Sequence, residues 1–168
     1  MRKVTVLVLA LGVVAALASQ GGGAQSAGET CDRRAVAGLV RSFARAYNEG
    51  DAARLESIWA AEPDFEWYSV SPDEREQAAA FDRGTLMTYF EERHELGDRL
   101  DLKAVRVGPE DDRGAFGIGY RLRRESDQRV ATGIYHGKAS ARQVTTLPTL
   151  GGVELSRCVL FVWSMGRE

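Results

Sequence analysis

The sequence predicts an α+β fold, with three N-terminal helices packed on one face of a strongly curved antiparallel sheet. Three observations carry this expectation. Apolar residues recur at helical spacing in three segments ahead of Gly97. Four strand-like runs follow between Leu100 and Met165. Glycines lie inside those runs, at Gly117, Gly119, Gly133 and Gly137, where they permit bends and close approach.

The chain opens with Arg2 and Lys3, followed by an uncharged run from Val4 to Ala18. Fifteen helical residues would span roughly 22 Å, short of the roughly 30 Å hydrocarbon core of a bilayer. Ala16-Leu17-Ala18 supplies the small residues of a cleavage site, and Gly21 to Ala24 follows as a spacer. Residues 1–24 therefore read as a secretory signal peptide and spacer. A secreted or extracytoplasmic protein is expected, with an uncleaved N-terminal anchor as the alternative. Contact with a membrane is expected only during export. Losing Arg2 and Lys3 would move the formal net charge from −2 to −4.

The chain has 168 residues, 44% of them apolar, and the remainder after the signal suits one globular domain, 31–168. Its mixed, mildly acidic charge gives no electrostatic footprint for nucleic acid. Cys31 and Cys158 are an even pair in an exported chain, which favours a disulfide between the first helix and the last strand. Two buried thiols are the alternative.

Val36, Val40, Phe43 and Tyr47 form one apolar stripe, broadened by Leu39 and Ala46. Asp32 can cap this first helix, and Gly50 can end it in the left-handed region without a Cβ penalty. Asp51 can then cap a second helix with Leu55, Ile58 and Trp59 inward, and Pro63 blocks its continuation. Phe65 to Val70 reads as a short strand, and Ser71 to Ala80 as a polar loop. Gly84 to Leu96 is helical, with Leu86, Tyr89 and Phe90 on one side, until Gly97 stops it.

Leu100 to Val107 alternates imperfectly. Ala115 to Arg124 alternates well, with Phe116, Ile118, Tyr120 and Leu122 on one face. Arg129 to Ala139 places Val130, Ile134 and His136 together, and that side is assigned to the interior. Cys158 to Met165 is nearly all apolar, as a central strand would be. Ser140 to Ser156, with Pro148 and Gly151-Gly152, is an excursion long for a hairpin.

The pattern Phe43-x-x-Ala46-Tyr47-Asn48-x-Gly50-Asp51-x-x-x-Leu55 resembles the first two helices of the nuclear transport factor 2-like superfamily, which includes SnoaL-like and ketosteroid-isomerase-like proteins. The element order is similar from about Cys31 to Met165, as is Ala131-Thr132-Gly133-Ile134-Tyr135 followed by a terminal strand carrying Trp163. The resemblance implies a cystatin-like cone with a cavity between helices and sheet, and often a homodimer through the sheet. It does not imply one function.

An enzyme on this scaffold needs a general acid or base inside an apolar cone. The expected pocket lining is Trp67, Tyr89, Tyr120, His136 and Trp163, with Asp64, Tyr68 and His94 as further inward candidates. His136 is the weak catalytic candidate, as a base or donor near Tyr120; the plainer reading is a core-edge histidine satisfied by the backbone. Tyr120 can face a ligand or simply pack. His94, set in Glu91-Glu92-Arg93-His94-Glu95, and Arg93 read as a solvated helix face. Arg121, Arg123 and Arg124 read as a hairpin rim near Glu125 and Asp127. Two histidines 42 positions apart, His94 and His136, give no metal-ligand cluster, and no nucleotide or nucleophile motif is present. No cofactor or metal is expected.

The expected role is a non-catalytic module that binds a small apolar molecule or a partner. The alternative is an isomerase, cyclase or hydratase-type enzyme using His136 and Tyr120.

Overall fold

The carboxylate of Asp32 accepts the backbone N–H of Ala35 and opens helix α1, Arg33–Glu49. The computed structural model describes residues 30–61, 65–70, 77–127, 132–146 and 155–167. Gly50 ends α1 with φ +68°, donating its N–H back to the last turn. A Cβ there would also meet the His94 ring, so the position excludes a side chain on two grounds. Asp51 then caps α2, Ala52–Ile58, by accepting from Arg54. Asp82 does the same for α3, Arg83–Glu95. Each cap satisfies a backbone donor that the first helical turn leaves without a partner.

The six strands are β1 (Glu66–Val70), β2 (Ala78–Ala80), β3 (Arg99–Glu110), β4 (Ala115–Glu125), β5 (Gly133–Thr146) and β6 (Leu155–Arg167). They form one sheet in the order β2-β1-β6-β5-β4-β3. The sheet is mixed rather than wholly antiparallel, because β1 runs parallel to β6, with Trp67 opposite Trp163. The chain enters β1 from α2 alongside β6, tied there by the Ala60 N–H to the Leu160 carbonyl at 2.8 Å. Register shifts with extra residues in β3 and, at Phe161, in β6 mark the bulges that bend the sheet.

Two segments differ from the sequence expectation. Ala78–Ala80, read as loop, pairs antiparallel with β1, because three small residues fit beside an already hydrogen-bonded strand. The expected excursion over 140–156 is largely ladder: β5 runs on to Thr146 and pairs with β6 from Leu155. Residues 147–154, with Pro148 and the glycine pair, lie outside the described residues, as does Asp64.

The helices pack on one face of the sheet around an aromatic core. Phe43 of α1 meets Trp59 at 5.5 Å and Trp163 at 4.8 Å, both edge-on. Trp163 in turn stacks on Tyr120 at 4.2 Å. Each fully buried large side chain contributes about 1.5–3 kcal/mol relative to exposure. Cys31 and Cys158 form the expected disulfide, with Cα atoms 5.3 Å apart, joining the start of α1 to β6.

Candidate functional site

Asn48 fixes the end of α1 to the start of β3. Its side chain donates to the Leu100 carbonyl at 2.9 Å and accepts the Leu100 N–H at 2.7 Å. That clamp holds Tyr47, one residue earlier, over the turn between α3 and β3. There the Tyr47 hydroxyl donates to Asp98 at 2.9 Å.

Asp98 is 0% exposed and is the centre of a buried polar cluster. Its Oδ2 accepts from Arg93 Nε at 2.7 Å and from Arg124 Nε at 2.8 Å, and its Oδ1 from Arg124 Nε at 3.0 Å. Arg124 Nη2 adds a further bond to Asp98 and reaches the Tyr89 hydroxyl at 3.2 Å. The Arg124 guanidinium also lies 5.8 Å from the Tyr135 ring centroid. Burial acts to lower the Arg124 pKa, but the hydrogen bonds to Asp98 and the electrostatic interactions with Tyr89, Tyr47 and Asp98 together outweigh it, and the net shift is upward. Burial is also the main cause that holds the Tyr47 pKa well above the usual phenol range. Both groups therefore keep their protons at neutral pH.

Sequence reading assigned Arg124 to a hairpin rim and gave Asp98 no role. The signal for Arg124 was present: it continues the inward series Phe116, Ile118, Tyr120, Leu122 at a spacing of two, and is 4% exposed. For Asp98 there was no local signal, since its importance comes from partners on α1, α3 and β4.

The other candidates fall in different places. Trp67 and Tyr89 meet with ring centroids 4.6 Å apart and line a pocket of about 380 Å³ between α3 and the β1–β2 edge. Ala78, Ala80, Thr85 and Glu92 complete much of its wall. Trp67 is 1% exposed and its indole N–H has no acceptor among the described residues. Tyr120 and Trp163 are not at this pocket; they are core. The Tyr120 hydroxyl donates to the Ser164 carbonyl at 2.8 Å, and chiefly burial raises its pKa well above the usual value. Tyr120 lies opposite Gly137, where a Cβ would collide with its hydroxyl and with the Ser164 carbonyl oxygen.

His136 is exposed, on the opposite side of the sheet from Tyr120. The interior face of β5 carries Tyr135, Gly137 and Ala139, so the phase assigned from sequence is inverted. The cause is that the inward position facing Tyr120 has to be glycine, which removes the apolar residue that would have marked the face. Tyr68 is half-buried and packs edge-on against Phe81 at 5.6 Å, away from the interior. His94 is half-buried beside Gly50 rather than solvated. It borders a second pocket, of about 360 Å³, with Leu55, Met87 and Phe90. Among the described residues no group of acidic, histidine or cysteine side chains is arranged to hold a metal ion.

Several solved structures resemble this chain in fold. A protein described as uncharacterised, with a cystatin-like fold, from Caulobacter vibrioides is 12% identical, with 80% of this chain and 88% of that one covered at a TM-score of 0.60. A cystatin-like protein of unknown function from Nostoc punctiforme gives 13%, 83%, 95% and 0.59 in the same order. A proposed dehydratase of the NTF2-like family from Streptomyces avermitilis gives 14%, 80%, 94% and 0.58. No family model and no curated protein matches the sequence. The chain thus has the nuclear transport factor 2-like, cystatin-like fold, and identities this low bear on fold alone.

Proposed function

We propose that this nuclear transport factor 2-like domain is an exported, non-catalytic module that binds a small apolar molecule at the pocket floored by Trp67 and Tyr89. One observation carries the reading. Among the described residues the two buried charged side chains, Asp98 and Arg124, are engaged with each other: Asp98 has no exposure and both its oxygens are taken by Arg93, Arg124 and Tyr47. A general base needs a free lone pair within reach of the substrate. The pocket beside this cluster instead offers two aromatic rings and alanine methyls, with Thr85, Thr88 and Glu92 as its polar wall. That lining suits a small molecule with an apolar body and a polar end. The enzyme alternative loses its geometry, because His136 and Tyr120 are on opposite sides of the sheet and the Tyr120 hydroxyl is already bonded. Export is supported by the Cys31–Cys158 disulfide and by the N-terminal Arg-Lys and apolar run.

The test is native mass spectrometry of the protein recovered from its own host, before and after solvent extraction. A bound small molecule, lost from the Trp67→Ala variant, is the expected result. Recovery of the bare chain alone, or protein-dependent consumption of a compound in host extract, would count against the reading.

A further inference from the structure

The outer face of the sheet, turned away from the helices, gathers cations around a glycine floor. Arg106, Gly119 and Lys138 lie in one row across β3, β4 and β5, and Arg121 and His136 occupy the next such row on β4 and β5. With strands about 4.8 Å apart, Arg106 and Lys138 flank Gly119 at roughly 10 Å, and Arg121 lies about 7 Å along β4. Arg106, Arg121, Arg123 and Lys138 are all exposed. At Gly117 and Gly119 a Cβ would meet nothing within 4 Å, so the floor is open to solvent. Asp101 and Glu125 also lie on this face, each ion-paired to a neighbouring cation, Lys103 and Arg123. The patch is therefore positive on a chain whose formal net charge is −2.

The same face carries the exposed large apolar side chains. Val70, 52% exposed, follows Gly166 and His136 across the sheet, and Phe81, 60% exposed, packs on Tyr68 at the β1 edge. Glu66, beside them, accepts from the Tyr68 hydroxyl.

We propose that this face docks peripherally on an anionic lipid bilayer, Arg106 and Lys138 meeting the headgroups while Val70 and Phe81 enter the interfacial layer. Exposed cations beside separate, protruding apolar side chains are what an anionic interface selects. A protein partner would call for a contiguous apolar centre depleted of charge, whereas the centre here is charged. A second copy of the chain with its twofold axis near Gly119 would bring Arg106 and Lys138 of one copy close to the same cations of the other, which is unfavourable.

The experiment is co-sedimentation of the chain, as its host processes it, with vesicles of phosphatidylglycerol and phosphatidylcholine. Binding is expected to the mixed vesicles at low salt, to fall at high salt, and to be weak on phosphatidylcholine alone. Arg106→Gln with Lys138→Gln should reduce partitioning roughly 30-fold, at about fivefold per cation. Phe81→Asp should weaken it further. Arg41→Gln with Arg45→Gln removes the same charge from the exposed side of α1 and should leave binding within about twofold of the parent. Absence of binding to the anionic vesicles, equal binding to both compositions, equal losses in the two double variants, or a dimer in light scattering that the Arg106/Lys138 change stabilises, would each overturn the proposal.

Discussion

Asp98 shows how much one side chain can decide. A carboxylate with no exposure is tolerable only because two guanidinium groups and a phenol surround it. Asp98→Asn leaves Arg124 buried without a counter-charge and should destabilise the fold by about 3–5 kcal/mol in urea titrations. Asp98→Leu combined with Arg124→Met should recover much of that loss, since an apolar pair of similar volume removes both charges together. A single-variant loss below about 1 kcal/mol would mean water reaches the cluster. The buried phenols give a separate signature at high pH. Tyr47 and Tyr120 have raised pKa values when folded, so above the unfolded value near 10 the unfolded chain binds fewer protons than the native one. Stability should be fully present below about pH 10 and then decline by up to about 1.4 kcal/mol per pH unit for each group. Tyr120→Phe should make that decline shallower, read as the urea midpoint between pH 9 and 11.

At the scale of elements, the junction after α1 combines three devices within four residues: the Asn48 clamp on β3, the left-handed Gly50 and the Asp51 cap. Asn48→Ala should lower stability by about 1–3 kcal/mol, because the Leu100 N–H and carbonyl lose both partners where water has little access. Glycines within the sheet should divide by face. Gly137→Ala collides with backbone and with Tyr120, and should destabilise by about 3 kcal/mol. Gly119→Ala meets open space and should be neutral or stabilising by about 0.5 kcal/mol. Thermal melts of the pair would check this. The helices and the well-alternating β4 were legible because their periodicity is local and their caps are chemical. The inner face of β5 was not legible, because Gly137 is set by the ring crossing over it from β4. Likewise β2 owes its pairing to β1 rather than to its own three alanines.

Across the whole molecule, the disulfide links residues 127 apart and joins helix layer to sheet. Loop-closure entropy sets its contribution at about 5 kcal/mol as an upper guide. Cys31→Ser with Cys158→Ser, or reduction of the parent, should lower the urea midpoint accordingly while leaving the aromatic core able to form. The two sides of the sheet serve different ends. The inner side is filled by Phe43, Trp59, Tyr120 and Trp163. A pocket is left at the edge by Trp67 and Tyr89, and the outer side carries exposed cations. The candidate site was therefore legible in two of its aromatic residues. Its polar neighbour was missed, because no segment of sequence contains Tyr47, Asp98 and Arg124 together.

The sequence by itself determined the α+β class, the helix pair with its Asn-x-Gly-Asp junction, most strands and the cysteine pairing. These rest on local periodicity, cap chemistry and a count of two thiols. Tertiary structure decided that β1 lies parallel to β6, that Arg124 turns inward to Asp98, that Tyr120 is spent on packing and that His136 faces solvent. Each of these depends on which distant residue stands opposite, and that is set by strand register and layer packing rather than by neighbours along the chain.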